Sequence, residues 1–330
     1  MLRRSAILAC AVVWAACEGM PSCGAETPAG LEVFLLKDAQ MSFETARKKP
    51  LQDLVLQAKP WIAADDVDRY DWSSHCIYLK RHVPVPHRQI LLSGTPFVVI
   101  ADGQRCYLGA LWSPISSLVP EGDVPMIDHD SENLVEISIS GWRRPEERPT
   151  DPRLDARVRK ALRQKGQLHA GLDCSLDKVR VEHQGDRWSV VYTYTLRNKD
   201  EDDLYVLDPE RINPVFFHDF QNGVSGCDVD DGASFLWPNP RTIGPQPTPW
   251  GKVDVAWLSR MKKGEAMTRT VVMNDMPRIV SGKYECHFRF SSPGFGTSWG
   301  PAKNEELRRP DGRIWLGRIS ATLVTDLSGK

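Results

Sequence analysis

The stretch "RWSVVYTYTLRN" (residues 187–198) decides the fold class, because its apolar side chains recur at every second position. This period of two is typical of a β-strand that buries one face. "GKYECHFRFS" (282–291) repeats the pattern. Further short apolar runs lie between Gly, Pro and Asn turns, and they include "LYVLD", "VDVAW", "TRTVVM" and "RISATLV". About seven such strands predict an all-β sandwich over residues 172–330.

Two segments of this half resemble known domains. "GKYEC" (282–286) resembles the Gly-x-Tyr-x-Cys corner of immunoglobulin-type domains, and "YTYTLRNKDEDDLYVLDP" (192–209) resembles secreted Ig-like and proteinase-inhibitor-type sandwiches of bacteria. The resemblance implies an Ig-like sandwich for residues 172–330. It does not extend to a Cys174–Cys286 bridge, because Trp188 lies on the second predicted strand rather than the third.

Residues 31–140 mix strands with short helical pieces and predict an α+β domain. Its clearest element is "PFVVIADGQRCYLGALW" (96–112), in which Asp102-Gly103 suits a two-residue hairpin turn. This segment is also similar to a strand-turn-strand in the extracytoplasmic head of bacterial export accessory proteins, which implies the same fold class.

Residues 141–171 read as a basic, proline-rich linker that contains a helix over 152–165. Asp151 can cap this helix, and Gly166 suits its C-terminal end. Between 141 and 167 the chain has nine Lys/Arg against four acids. A contact with a polyanion and a solvated helix face both fit this run, and the solvated face is the more common case.

The N-terminus has the features of a secretory signal over residues 1–25. Two arginines precede the apolar run "SAILACAVVWAA" (5–16), which is too short to span a bilayer as a mature helix. Cleavage after Ala25 fits a general signal peptidase. "WAAC" (14–17) resembles a bacterial lipoprotein box, which would make Cys17 the lipidation site. We therefore expect an exported bacterial protein that is periplasmic, extracellular or lipid-anchored at the envelope.

Charge limits the partners of the chain. Lys and Arg number 42 against 43 acids, and this balance argues against a broad nucleic-acid or anionic-membrane surface. We expect no nucleic-acid partner and a membrane contact only through a lipid anchor. No motif predicts a cofactor. An envelope protein or an extracellular ligand is the expected partner.

"YDWSSHCIYL" (70–79) is the candidate catalytic segment, since it places acid, hydroxyl and imidazole groups close together. Its hydrolase interpretation uses Asp71 and His75, with Asp102 as a third group. The other interpretation is a turn leading into a strand, with Asp71 binding local backbone groups. The turn is favoured because no strained elbow surrounds the serines.

Other candidate sites have simpler alternatives. "DVDDG" (228–232) offers carboxylates for calcium from Asp228, Asp230 and Asp231, but solvated acidic turns also have this composition. Candidate binding residues are aromatic side chains able to anchor a contact, namely Trp72, Trp237 and Trp250.

Beyond the signal, five cysteines remain at positions 76, 106, 174, 227 and 286. An exported protein can form disulfides, and we expect a Cys76–Cys106 bridge. The first functional expectation is a non-catalytic binding or envelope-structural protein. The alternatives are a secreted hydrolase with its site near Asp71 and His75, and a proteinase-inhibitor-like protein that would need an exposed loop such as 236–250.

Overall fold

A computed structural model describes the chain over residues 30–84, 91–113, 116–118, 120–127, 130–131, 134–140, 151–212, 217–218, 220, 222–230, 234–235, 255–292 and 308–328. The protein is mainly β: strands account for about half of it and helices for a tenth. Two α-helices have both ends within the described part, α1 (Phe43–Ala46) and α2 (Ala156–Gln164), and short 3-10 helices cover Leu51–Asp53, Pro152–Leu154 and Val255–Trp257.

In the described ranges, ten strands precede residue 171 and form two five-stranded sheets. They are β1 Leu31–Leu35, β2 Val67–Asp71, β3 Cys76–Leu79, β4 Thr95–Ala101, β5 Gln104–Leu111, β6 Pro125–Ile127, β7 Asp130–Ser131, β8 Leu134–Glu136, β9 Ser138–Ile139 and β10 Leu168–His169. One sheet has the order β1-β4-β5-β6-β9 and the other the order β10-β2-β3-β8-β7. Buried residues of both sheets pack in one core, among them Val33, Tyr70, Ile77, Phe97 and Val99.

The hairpin between β4 and β5 is the turn that the sequence predicts. Asp102 has φ 48° and Gly103 has φ 74°. Two successive positive φ angles are typical of a type I′ turn, whose twist matches that of the flanking strands. The Asp-Gly dipeptide therefore sets the register of this antiparallel pair.

The segment expected to be a linker packs against the sheets instead. Asp151 caps only the 3-10 turn over Pro152–Leu154, and Asp155 accepts from Arg157 N to start α2 at Ala156, so the helix is shorter than expected. α2 buries Val158, Ala161 and Leu162 completely in the core of the two sheets, and β10 then pairs in parallel with β2. An amphipathic helix with such a stripe is stabilised by docking, so residues 151–169 belong to the packed structure. Residues 141–150 lie outside the described part.

After residue 171, the part of the chain that the structure describes contains eleven strands. They are β11 Leu172–Gln184, β12 Arg187–Asn198, β13 Leu204–Leu207, β14 Gly223–Asp228, β15 Ser234–Phe235, β16 Leu258–Met261, β17 Ala266–Met276, β18 Gly282–Ser291, β19 Arg308–Arg309, β20 Gly312–Ile314 and β21 Arg318–Leu327. They form three sheets, with the orders β11-β12-β17, β15-β14-β18-β21 and β16-β13-β20-β19.

The alternating residues of 187–198 form the centre of the second core. Val190, Tyr192, Tyr194 and Leu196 are fully buried on β12. The ring of Tyr194 stacks on Phe288 of β18 with 4.5 Å between centroids. Because β12 and β18 belong to different sheets, this contact joins two sheets across the core. The period-two prediction is confirmed for this strand.

Candidate functional site

The segment 70–79 forms a tight turn between β2 and β3, as the sequence predicts. The chain leaves β2 at Asp71 and enters β3 at Cys76. Asp71 Oδ1 accepts hydrogen bonds from Ser73 N at 3.1 Å, Ser73 Oγ at 2.6 Å, Ser74 N at 3.2 Å and Ser74 Oγ at 3.2 Å. One carboxylate oxygen thus satisfies four donors of the turn, which is the usual structural role of Asp at such a position.

The second oxygen of Asp71 binds a cation from the far end of the chain. Arg313 of β20 donates through Nη2 to Asp71 Oδ2 at 3.1 Å and to Asp200 Oδ2 at 2.6 Å. The side chain of Arg313 is 3% exposed, and both carboxylates are fully buried. Buried charges require partners of opposite sign. We call Asp71, Ser73, Ser74, Asp200 and Arg313 the joint, since they connect the first two sheets to the strands that follow.

Neutral contacts reinforce the joint on both sides of the turn. Tyr78 OH of β3 donates to Leu316 O at 3.0 Å and accepts from Leu316 N at 3.2 Å. Leu172 N donates to Ser73 Oγ at 3.0 Å. A Cβ at Gly171 would lie 2.2 Å from that same Oγ, and the φ of Gly171 is +71°. The close approach therefore requires glycine at this position.

The charges of the joint shift the ionisation of Asp200. Burial by itself raises the pKa of Asp200, but hydrogen bonds from His169 and the charge of Arg313 outweigh it and hold the pKa well below its ordinary value. Burial lowers the pKa of Arg313, and the carboxylates of Asp71 and Asp200 reverse this and raise it. Asp200 and Arg313 are therefore both charged at neutral pH.

His75 is buried beside a tyrosine and not beside a nucleophile. Its Nδ1 lies 2.9 Å from Tyr70 OH, and the residue is 5% exposed. Burial, and next the charge of Arg153, lower the pKa of His75 to about 3, so the imidazole is neutral. Its φ of 54° is a strained backbone conformation for histidine. The hydroxyls of Ser73 and Ser74 bond to Asp71 instead of His75.

Asp102, the third candidate catalytic residue, has a structural role elsewhere. Its Oδ1 accepts from Gly30 N at 3.1 Å, and its own N donates to Gly30 O at 3.0 Å. These two bonds fix the chain where it enters β1. The structure thus brings Asp71 and His75 into one turn and gives Asp102 a different partner.

A group of potential metal ligands adjoins the joint, and the sequence did not reveal it. His169 Nδ1 lies 3.0 Å from Asp200 Oδ1 and 3.7 Å from Asp202 Oδ2. The three ligand atoms lie within 4.8 Å of one another. Asp200, however, already accepts from His169, from the backbone N of Gly171 and Asp202, and from Arg313. Since the guanidinium occupies the place of a cation, we assign this group to charge balance and not to metal binding.

The separation of these residues in sequence explains why they were missed. His169 and Asp200 are 31 residues apart, and Asp71 and Arg313 are 242 apart. The acidic "DEDD" (200–203) was the one local signal. Only the parallel pairing of β10 with β2 brings His169 beside Asp71.

The calcium and tryptophan candidates are only partly described. Asp228 is buried, and its Oδ1 accepts from Asp230 N at 2.8 Å, which is the bond of an Asx turn. Trp72 is half-buried, with its ring 5.7 Å from that of His75 and 5.5 Å from the Arg159 guanidinium. Outside the described residues lie Cys17, Asp231, Trp237 and Trp250.

The expected Cys76–Cys106 bridge is absent, and both residues are free thiols. Cys76 of β3 packs in the core that contains Tyr192 and Trp315. Cys106 of β5 packs against the core of the first two sheets. The two side chains therefore belong to different cores, which the proximity of their turns in sequence could not indicate.

No protein-family model matches the chain, and no curated protein matches its sequence. Among the described residues, no helix has both the length and the apolar character needed to cross a membrane.

Proposed function

We propose that this is an exported bacterial protein with a non-catalytic role, in binding a partner or in the architecture of the cell envelope. The joint is the observation that carries this proposal. Asp71 and both serines, the groups most suited to hydrolysis, are engaged in hydrogen bonds that hold the turn and bind Arg313. A nucleophile needs a base within hydrogen-bonding reach, and His75 bonds to Tyr70 instead.

We further propose that residues 172–330 form an Ig-like sandwich. The sheet orders β11-β12-β17 and β15-β14-β18-β21 correspond to A-B-E and C′-C-F-G of immunoglobulin-type domains. β18 then takes the place of strand F. Tyr284 on β18 lies two residues before Cys286, and its OH donates to Val280 O at 3.1 Å. This bond supports the proposal, because a tyrosine corner has the same spacing and the same upstream acceptor.

Residues 31–140, together with the helix that follows them, form the proposed α+β part. Two five-stranded sheets with α2 against them support this class. The proposed export depends on the N-terminal signal, and the proposed anchor on Cys17. A two-part molecule of this kind would use its first part near the envelope and its sandwich for contacts with a partner.

The two alternatives lack a comparable observation. A hydrolase at Asp71 and His75 would require the serines to leave their bonds to Asp71. A proteinase inhibitor would require a rigid exposed loop, and the candidate loop 236–250 lies outside the described residues.

Two measurements on the protein recovered from the envelope and from the cytosol of its native cells test the proposal. Intact mass should show a diacylglyceryl group on an N-terminal Cys17 or cleavage after Ala25, and an unprocessed N-terminus in the cytosol would refute export. A fluorophosphonate probe should leave the protein unlabelled. Labelling of Ser73 or Ser74 that disappears in Asp71→Asn or His75→Asn, while the variants stay folded by circular dichroism, would refute the non-catalytic role.

A further inference from the structure

The outer face of α2 carries three arginine and lysine side chains that point away from the core. Residues on the opposite face, Val158, Ala161 and Leu162, are fully buried. At 100° per residue, Arg159, Lys160 and Arg163 fall on the side opposite that buried stripe, and all three are exposed. The helix itself contains no acidic residue.

Within the described part of the chain, no acidic side chain pairs with the cations of this face. Arg157 pairs with Asp155 at 2.6 Å, and Lys165 pairs with the exposed Asp65 at 3.2 Å. In the described ranges Arg159, Lys160 and Arg163 form no ion pair, and the guanidinium of Arg159 contacts the ring of Trp72. These three cations, which have no acidic partner among the described residues, lie on one side of one helix. We call these three residues the basic face.

Gly30, the first residue that the structure describes, lies beside the same helix. Gly30 packs against Lys165 at the end of α2, such that a Cβ at Gly30 would lie 3.2 Å from both Cγ and Cε of Lys165. The two hydrogen bonds between Gly30 and Asp102 fix Gly30 there. Gly30, the first described residue, is therefore held close to the end of α2.

The length of the preceding segment limits how far α2 can lie from an anchor. Cys17 is about 13 residues before Gly30, which spans at most about 45 Å when fully extended. A lipid on Cys17 would hold α2 within that distance of a bilayer. A single acyl chain binds a membrane weakly, and a second, electrostatic contact makes the attachment stable. The basic face would lie within reach of the bilayer for such a contact.

We propose that the basic face of α2 binds anionic phospholipid headgroups and orients the protein on the membrane to which its N-terminus is anchored. This inference rests on the proposed export and anchoring, although the surface itself can be tested without them. The nearly equal numbers of acidic and basic residues in the whole chain do not oppose this proposal. Attraction to a charged surface acts over about one Debye length and therefore depends on local charge.

The test is a competition between two vesicle populations. The purified exported protein is added to equal amounts of phosphatidylglycerol-rich and phosphatidylcholine vesicles, which are then separated by density. An acyl chain enters both populations alike, so the ratio of bound protein reports headgroup preference. Three cations favour the anionic vesicles by on the order of 100-fold at low salt, and the preference should fall as salt rises above about 0.1 M.

Variants identify the surface. The triple variant Arg159→Gln/Lys160→Gln/Arg163→Gln should lose most of the preference. A control with the same charge change, Lys178→Gln/Arg187→Gln/Lys262→Gln, alters exposed cations of β11, β12 and the turn after β16 and should keep it. The inference would be overturned if both variants lost the preference for anionic vesicles equally or if the wild type showed none. Binding to heparin without any vesicle preference would also overturn it.

Intact mass keeps the two proposals distinguishable. A vesicle preference that depends on the basic face, in a protein that carries no lipid, would support the surface and refute the anchor. A lipidated protein that shows no headgroup preference would support the anchor and refute the surface.

Discussion

Replacing Arg313 by methionine should destabilise the protein strongly. The substitution keeps most of the buried volume and removes the guanidinium that donates to Asp71 at 3.1 Å and to Asp200 at 2.6 Å. Two buried carboxylates then lose their cation. Breaking a buried ion pair in this way costs about 3–5 kcal/mol, which agrees with the loss of two charge-assisted bonds of about 1.5–3 kcal/mol each.

The free energy of unfolding that Arg313→Met loses should depend on pH in a defined direction. The folded pKa of Asp200 is lowered, partly by Arg313, so its stabilisation is present above the unfolded pKa of about 3.9 and is lost as the pH falls through the folded pKa. The difference between wild type and Arg313→Met should therefore be largest above about pH 5 and should narrow below about pH 4.

Urea unfolding followed by circular dichroism at several pH values measures the loss in free energy of unfolding and its change with pH. Arg180→Gln is the matched control, since it breaks an exposed pair with Glu182 and should cost less than about 1 kcal/mol. A loss below about 1 kcal/mol in Arg313→Met, or a loss that does not change with pH, would refute the assignment of the joint as a buried ionic contact.

Further predictions concern single side chains. Tyr284→Phe removes the bond to Val280 O and should lower the free energy of unfolding by about 1 kcal/mol in urea titrations; no change would remove the support that this bond gives to an Ig-like corner. Burial lowers the folded pKa of His75 to about 3, so the unfolded state binds a proton at higher pH than the folded state does. Between pH 7 and pH 5 the free energy of unfolding should therefore fall by about 2 kcal/mol more in wild type than in His75→Asn. Equal pH dependence in the two proteins would contradict a buried neutral imidazole. Denatured but unreduced protein should take up alkylating reagent at all five cysteines beyond the signal, which are Cys76, Cys106, Cys174, Cys227 and Cys286. A pair of cysteines that resists alkylation would reveal a disulfide.

Local sequence patterns predicted several strands and turns of this protein, but the strand expected at "VDVAW" was wrong, because Val255–Trp257 form a 3-10 helix. The alternation in 187–198 predicted the buried face of β12, since strand periodicity needs no knowledge of distant partners. The Asp102-Gly103 turn and the Asp71 turn were predicted because their hydrogen bonds and φ angles depend on adjacent residues. The start of α2 was predicted less well. Asp151 was expected to cap the whole helix, but it caps only a 3-10 turn, and Asp155 caps α2 itself.

Contacts between distant segments could not be predicted in this way. Nothing near "RIWLG" (313–317) marks Arg313 as the partner of Asp71, because the pairing depends on how β20 lies against the turn. The same limit explains the error at Cys76 and Cys106, whose side chains face different cores. The candidate site was therefore located from sequence, while its structural role emerged from the fold.

Hydrogen exchange of Arg313→Met, read by mass spectrometry at neutral pH, tests the joint most directly. If residues 70–79 form a joint with the strands that follow, protection should fall together in peptides covering 70–79, 168–173 and 198–203, with Arg180→Gln unchanged. A loss of protection confined to residues around 313 would contradict the account, because the turn would then be stable without the cation that we assign to it.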